Sequence, residues 1–67
     1  MRDKRETMRE TARREAQIID DEVGLEFISR DMVISMVCEA IELKHGVSFD
    51  ECEAVAIDGV RDYLREA

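Results

Sequence analysis

The chain has 67 residues, no proline, three glycines, two cysteines and a formal net charge of −7. This length allows one small domain with a thin core of its own, and no apolar run approaches the roughly 20 residues that span a bilayer. Cys38 and Cys52 fall on apolar helix faces, and we expect no secretory leader, reduced thiols, a cytoplasmic location and stability gained by self-association.

The charge is unevenly divided along the chain. Residues 1–17 carry six basic and four acidic side chains, a net +2, whereas residues 18–67 carry four basic and 13 acidic ones, a net −9. The acidic part should repel duplex DNA and attract basic surfaces, and the three aromatic residues offer little to stack on single strands. Direct nucleic-acid binding is therefore not expected.

The first predicted element is a charged amphipathic helix. A narrow apolar seam recurs every three or four residues up to Val23 and predicts a helix that leans on another surface. Residues 1–15 form a charged arm whose first turns we expect to fray. Along it Arg5, Arg9 and Arg13 line one ridge, and we expect this ridge to make a charged contact with the acidic remainder, within one chain or across a dimer.

A short link should follow the first helix. Carboxylates at the end of that helix oppose its dipole, and Gly24 is a typical residue at which a helix stops. The link over residues 24–28 is either a turn or a brief strand, since the apolar residues Leu25 and Phe27 lie two positions apart.

The second predicted helix runs from Ser29 to His45 and is apolar around almost its whole circumference. Ser29 is a good N-cap, and Gly46 after a basic last turn is a good C-terminal signal. A helix that is apolar almost all round belongs in the middle of an assembly, and one small chain offers few elements to surround it. At about 100° per residue, one narrow polar stripe remains, formed by Asp31, Ser35, Glu39 and Glu42.

The third predicted helix runs from Ser48 to Glu66. Ser48 and Glu51 form a capping box at its start. Gly59 lies in the middle of this helix, where glycine costs around 1 kcal/mol relative to alanine. It marks either a close crossing with another helix or a tolerated weak position.

Together these elements predict an all-α fold in which three helices form an intertwined or packed homodimer. The central apolar helix would lie between the third helix of its own chain and elements of a second copy. The residues expected to carry the interface are Met32, Met36, Val37, Ile41, Val55, Val60 and Leu64.

An alternative fold comes from the lengths of the elements. A short strand near residues 24–28 followed by two helices resembles the dimeric ribbon-helix-helix fold, which would imply a transcription regulator or an antitoxin. The chemistry departs from that pattern, since Asp50, Glu51 and Glu53 at the start of the third helix would repel a phosphate.

No catalytic or metal-binding motif stands out. The chain has one histidine and no glycine-rich phosphate loop, so nucleophilic and acid–base catalysis lack their parts. Cys38 and His45 lie roughly 10 Å apart along one helix, too far to share a zinc ion with Cys52. Glu42 and His45 form the Glu-x-x-His pair of ferritin-like bundles, but His45 lies at the end of its helix. We therefore expect no enzyme activity, no metal and no cofactor.

The sequence thus predicts a non-enzymatic interaction or regulatory module that associates with itself and with another protein. Three alternatives remain: a ribbon-helix-helix regulator or antitoxin, a ferritin-like metal-binding bundle, and a small acidic inhibitor that mimics the charge of a nucleic acid. The last alternative comes from Glu51, Asp58 and Asp62, which share the outer face of the third helix. No membrane association is expected.

Overall fold

Three α-helices pack around one core in the computed structural model, which describes residues 4–66. Helix α1 spans Lys4–Glu22, a single turn of 3-10 helix spans Leu25–Phe27, α2 spans Arg30–His45 and α3 spans Phe49–Glu66. The prediction of an all-α chain with three packed helices is confirmed.

Each helix turns one apolar face inward, and the three faces form a single core. Spacings of three and four residues place these side chains on one side of their helix. Residues 1–3, and with them the start of the predicted charged arm, lie outside the described residues. The buried apolar positions are Met8, Ala12, Ala16 and Ile19 in α1, Val33, Val37, Cys38 and Ile41 in α2, and Cys52, Val55, Ala56 and Val60 in α3.

Both predicted ends of α2 are confirmed. The side-chain oxygen of Ser29 accepts a hydrogen bond from the Met32 N–H at 3.2 Å. Gly46, with φ 64° and ψ 38°, adopts the left-handed conformation that glycine reaches without steric cost, and its N–H donates to the Glu42 carbonyl at 2.9 Å. These two caps set the limits of α2 and therefore which of its residues share a face.

The strand suggested as an alternative for residues 24–28 is wrong, because this link contains one turn of 3-10 helix. The N–H of Phe27 donates to the Gly24 carbonyl at 3.0 Å, and the N–H of Leu25 donates to the Asp20 carboxylate at 3.1 Å. Two donors that a pairing strand would use are thus occupied within the chain. No strand is present in the part of the chain that the structure describes, so the strand that the ribbon-helix-helix alternative requires is not found there.

Asp20 connects the end of α1 to both the link and α3. One carboxylate oxygen accepts the Leu25 N–H, and the other accepts the Tyr63 O–H at 2.8 Å. The hydrogen bond from Leu25, and then that from Tyr63, lower the pKa of Asp20 below its ordinary value. The same contact with Asp20 raises the pKa of Tyr63. The Asp20 carboxylate opposes the dipole of α1, but its two hydrogen bonds hold the link and α3 against the end of α1.

We expect Asp20→Asn to lower the pKa of Tyr63. We also expect this variant to lose less folding stability than the wild type when the pH falls into the acid range. The carboxyl of Asp20 ionises more readily in the folded chain than in the unfolded one. Its contribution to stability is therefore present above about pH 4 and is lost as the pH falls through its lower folded pKa. Tyr63 is the single tyrosine of the chain, so tyrosinate absorbance in an alkaline titration reports on it alone.

The matched control for this prediction is Glu22→Gln, because Glu22 is exposed at the same end of α1 and is not among the groups that raise the pKa of Tyr63. This variant should leave the Tyr63 titration at its wild-type position. The melting temperatures of the wild type and Asp20→Asn should converge as the pH is lowered below about 4. An unchanged Tyr63 titration in Asp20→Asn would contradict the prediction.

Helices α1 and α3 cross closely at Gly59, which confirms the first of the two interpretations of this glycine. A Cβ atom at Gly59 would lie 2.3 Å from the Cβ of Ala12 and 3.4 Å from the carbonyl oxygen of Arg9. Real Cβ atoms do not approach one another to 2.3 Å. The absence of a side chain at this position therefore sets how near the two helices lie.

Candidate functional site

The outer face of α2 carries three exposed apolar side chains, Met32, Met36 and Leu43, which we call the α2 outer stripe. Their exposed fractions are 55%, 43% and 81%. At about 100° per residue, the three fall within about 40° of one another. They lie on the side of the helix turned away from the buried Val37 and Ile41. Single apolar residues on a surface are ordinary, and three aligned on one helix face make this stripe a candidate contact surface.

The seven residues predicted to carry the interface lie in two different places. The exposed ones are Met32, Met36 and Leu64, the last at 41%. These three are accessible without opening the core, and so is Leu43, which is more exposed than any of them. The other four lie in the core of the chain itself and are at most 3% exposed: Val37, Ile41, Val55 and Val60.

Leu64 belongs to a separate groove between the link, α2 and α3. The groove has a volume of about 260 Å³. Leu25, Val33 and Val60 line it together with Leu64, and Arg30 is among its polar lining residues. Val33 and Val60 are buried core residues, so this groove is a shallow extension of the core. The candidate surface is therefore the α2 outer stripe, without Leu64.

The arginine ridge of α1 meets α3 of the same chain. Arg9 forms an ion pair with Asp62, and Arg13 forms one with Glu66. All four side chains are partly exposed, so each pair contributes at most about 1 kcal/mol. The side chain of Arg5, the third residue of the predicted ridge, lies outside what the structure describes.

This pairing changes the outer face of α3, which was considered as a mimic of nucleic-acid charge. Asp62 faces Arg9, which offsets its charge. Glu51 is exposed and Asp58 is half-buried. A row of carboxylates interrupted by an arginine offers a weaker match to a phosphate backbone than the sequence alone suggests.

The structure brings Cys38, Glu42 and Cys52 together, and we call these three the thiol–carboxylate cluster. The two sulfur atoms and a carboxylate oxygen of Glu42 all lie within 4.8 Å of one another. Burial, followed by the neighbouring Cys52 and Glu42, raises the pKa of the Cys38 thiol to about 11. Burial also raises the pKa of Cys52. Both cysteines are free thiols, as the sequence predicts.

His45 lies apart from this cluster. Its Nε2 is 2.9 Å from the hydroxyl oxygen of Thr11, and that hydroxyl donates to the Thr7 carbonyl at 3.2 Å. Because Thr11 has a single O–H, the Nε2–H of His45 is the donor in the contact with Thr11. The histidine thus joins α2 to α1, and the Glu42 and His45 pair of the ferritin-like hypothesis does not form the ligand group found among the described residues.

The cluster was not predicted from the sequence, because His45, and not Glu42, was considered as the third ligand beside the two cysteines. Cys38 and Glu42 are four residues apart, so they share a face of α2. A turn of three residues separates α2 from α3, and Cys52 lies in the first part of α3. The turn therefore brings Cys52 back next to the end of α2. The spacing of Cys38 and Glu42 was a usable signal, whereas the position of Cys52 required the helix–helix contact.

Within residues 4–66, no helix is both long and apolar enough to cross a membrane. Comparison with protein-family models, with curated proteins and with solved structures finds no match. The α2 outer stripe and the thiol–carboxylate cluster are therefore the features from which function is inferred.

Proposed function

We propose that the chain is a non-enzymatic protein-interaction module that forms a homodimer through the α2 outer stripe. The supporting observation is that Met32, Met36 and Leu43 are 43–81% exposed on one face of a helix whose opposite face is buried. Full burial of a side chain of this size is worth roughly 1.5–3 kcal/mol relative to exposure. A second copy would cover all three at once and gain the part of this free energy that corresponds to their exposed fractions, on both sides of the contact.

The stripe is self-complementary in an antiparallel pair of α2 helices. A two-fold axis that passes between the two α2 helices, level with Val37 and Cys38, places Met32 of one copy level with Leu43 of the other, and the reverse. The same axis places Met36 level with Glu39, an exposed carboxylate at the edge of the stripe. Between Met32 and Leu43 the stripe is about 16 Å long, at 1.5 Å per residue. Both copies then bury the same residues, as a two-fold interface requires.

Charge provides the criterion that separates this homodimer from a complex with a basic protein. Each copy carries a formal charge of −7, so long-range repulsion opposes the association of two copies. Added salt screens this repulsion, and the homodimer should tighten as ionic strength rises. A complex between the acidic chain and a basic partner should instead weaken with salt.

We expect Leu43→Lys to convert the homodimer to a monomer that is still folded. Leu43 is 81% exposed, so its replacement removes little burial within one chain. A lysine in the last turn of a helix also interacts favourably with the helix dipole. In a dimer the same lysine would be desolvated against an apolar surface of the second copy. Sedimentation equilibrium at high micromolar concentration measures the mass, and circular dichroism measures the helix content.

The control is Ser35→Lys, which places the same charge at an exposed position of α2 outside the stripe. It should leave the dimer in place. A wild-type protein that stays monomeric at these concentrations, at both low and high salt, would refute the homodimer. Equal dissociation by the two lysine variants would move the interface away from the stripe.

A further inference from the structure

The thiol–carboxylate cluster has the composition of a metal site. Cys38 and Glu42 lie one helical turn apart on α2, and Cys52 approaches them from the start of α3. Their three potential ligand atoms lie within 4.8 Å of one another. In the described part of the chain, this is the one group of three or more such side chains that converges in this way.

We propose that Cys38, Glu42 and Cys52 bind one thiophilic divalent cation of the zinc class, with the fourth position taken by water or by an external ligand. This ligand set differs from the one that the sequence argued against, because Glu42 replaces His45. Two thiolates favour zinc over magnesium or calcium, which prefer oxygen ligands alone. Two protein side chains from α2 and one from α3 would cross-link the two helices.

The distances fit a tetrahedral site after a small adjustment. Zinc lies about 2.3 Å from sulfur and about 2.0–2.2 Å from a carboxylate oxygen, so ligand atoms in a tetrahedron are about 3.6–3.8 Å apart. The atoms of the cluster lie within 4.8 Å of one another. Closing the remaining distance takes about 1 Å, which changes of side-chain rotamer supply without movement of either helix.

The charged groups around the cluster favour a cation. After burial and Cys52, the negative charges of Glu42 and Glu53 also raise the pKa of the Cys38 thiol. Binding breaks the S–H bonds of Cys38 and Cys52, forms two metal–sulfur bonds and releases two protons to solvent, while the Glu42 carboxylate binds in its ionised form. The cation thus offsets the charge of the two thiolates, which burial in the first place, and the neighbouring carboxylates in the second, disfavour when no cation is bound.

A groove provides a path to the cluster. It has a volume of about 370 Å³ and runs between α2 and α3 with Cys38 in its lining. Ser35, Phe49 and Glu53 are among its other lining residues. This path ends at Cys38, which is 1% exposed, whereas Glu42 and the fully buried Cys52 do not line the groove. A cation therefore reaches all three ligands only after their side chains shift.

The test is a titration of the fully reduced, full-length protein with Co²⁺, which replaces Zn²⁺ and is coloured. One equivalent of Co²⁺ should produce thiolate-to-cobalt charge-transfer absorption together with the visible bands of tetrahedral cobalt, and Zn²⁺ should remove both. Cys38→Ser and Cys52→Ser should each abolish the two-thiolate spectrum. Glu42→Gln should weaken cobalt binding by at least about tenfold, the smallest loss typical when even an outer-shell partner is removed.

Two features keep this test decisive. Glu42 is only partly buried, so Glu42→Gln retains the fold even where a cysteine variant does not, and circular dichroism of each variant checks this. Glu39→Gln, at an exposed position of the same helix, is the control and should bind cobalt as the wild type does. Absence of the charge-transfer band with excess Co²⁺ would overturn the proposal. So would an unchanged affinity in Glu42→Gln, or an unchanged spectrum in Cys52→Ser.

Discussion

Replacing Ile41 by alanine should lower the free energy of unfolding by about 2–5 kcal/mol, the range found for large-to-small substitutions in protein cores. Ile41 has no exposed surface and is the largest fully buried side chain among the described residues. The surrounding helices close only part of the space, so the loss includes both transfer free energy and the remaining cavity. Proteins have roughly 0.05–0.15 kcal/mol of stability per residue, so this substitution would remove much of the total free energy of unfolding of a chain of this length.

The matched control is Leu43→Ala, two residues further along the same helix. Leu43 is 81% exposed, so its truncation should change the stability of one chain by no more than about 0.5 kcal/mol. Urea unfolding of both variants, at a concentration low enough to prevent association, measures the two values. Equal losses for Ile41→Ala and Leu43→Ala would contradict the assignment of one face of α2 to the core and the other to the surface.

The sequence specifies the ends of α2 but does not distinguish its buried face from its exposed face. The caps Ser29 and Gly46 and the absence of proline fixed the limits of the helix. The pattern within those limits is apolar on nearly every side, so periodicity could not rank Ile41 above Leu43. That ranking depends on where α1 and α3 lie around α2, and the contacts between helices decide it. Within α2, the large apolar side chains that stay exposed are the three of the outer stripe.

The sequence left the link before α2 open between a turn and a brief strand for a local reason. Leu25 and Phe27 lie two residues apart, as they would on one face of a strand, and three residues are too few for periodicity to distinguish a strand from a turn. The carboxylate of Asp20, five residues earlier, accepts the Leu25 N–H and favours the 3-10 turn. A side-chain acceptor at that distance along the chain has no fixed sequence signature.

The two candidate sites differ in how far the sequence could specify them. Met32 and Met36 were predicted as contact residues and lie on the outer stripe, and Arg9 and Arg13 were predicted to make charged contacts and pair with α3 of the same chain. The thiol–carboxylate cluster joins residues from two helices across a turn. Its assembly follows from the α2–α3 contact, which a pattern along the chain does not describe.

Gly59→Ala should lower the free energy of unfolding by about 1–2 kcal/mol, although alanine is intrinsically the better helix former by about 1 kcal/mol. The added Cβ would lie 2.3 Å from the Cβ of Ala12, an atom fixed to the helix backbone that cannot rotate away. Helices α1 and α3 must therefore separate, which loosens the contacts around the crossing, and overpacking of this kind costs about 1–3 kcal/mol. For a domain of this size the melting temperature should fall by roughly 4–16 °C.

The decisive comparison is the double variant Ala12→Gly with Gly59→Ala, which moves the missing methyl group from α3 to α1. The Cβ at position 59 then meets no Cβ at position 12, and its next contacts, with the Arg9 carbonyl oxygen at 3.4 Å and the backbone carbon of residue 12 at 3.5 Å, are tolerable. The gain and loss of helix propensity offset each other. The double variant should therefore be more stable than Gly59→Ala alone, since the clash and not the chemistry of either residue causes the loss. Thermal unfolding of the three proteins measures this order. A Gly59→Ala variant as stable as the wild type would mean that the helices at this crossing are farther apart than the structure places them.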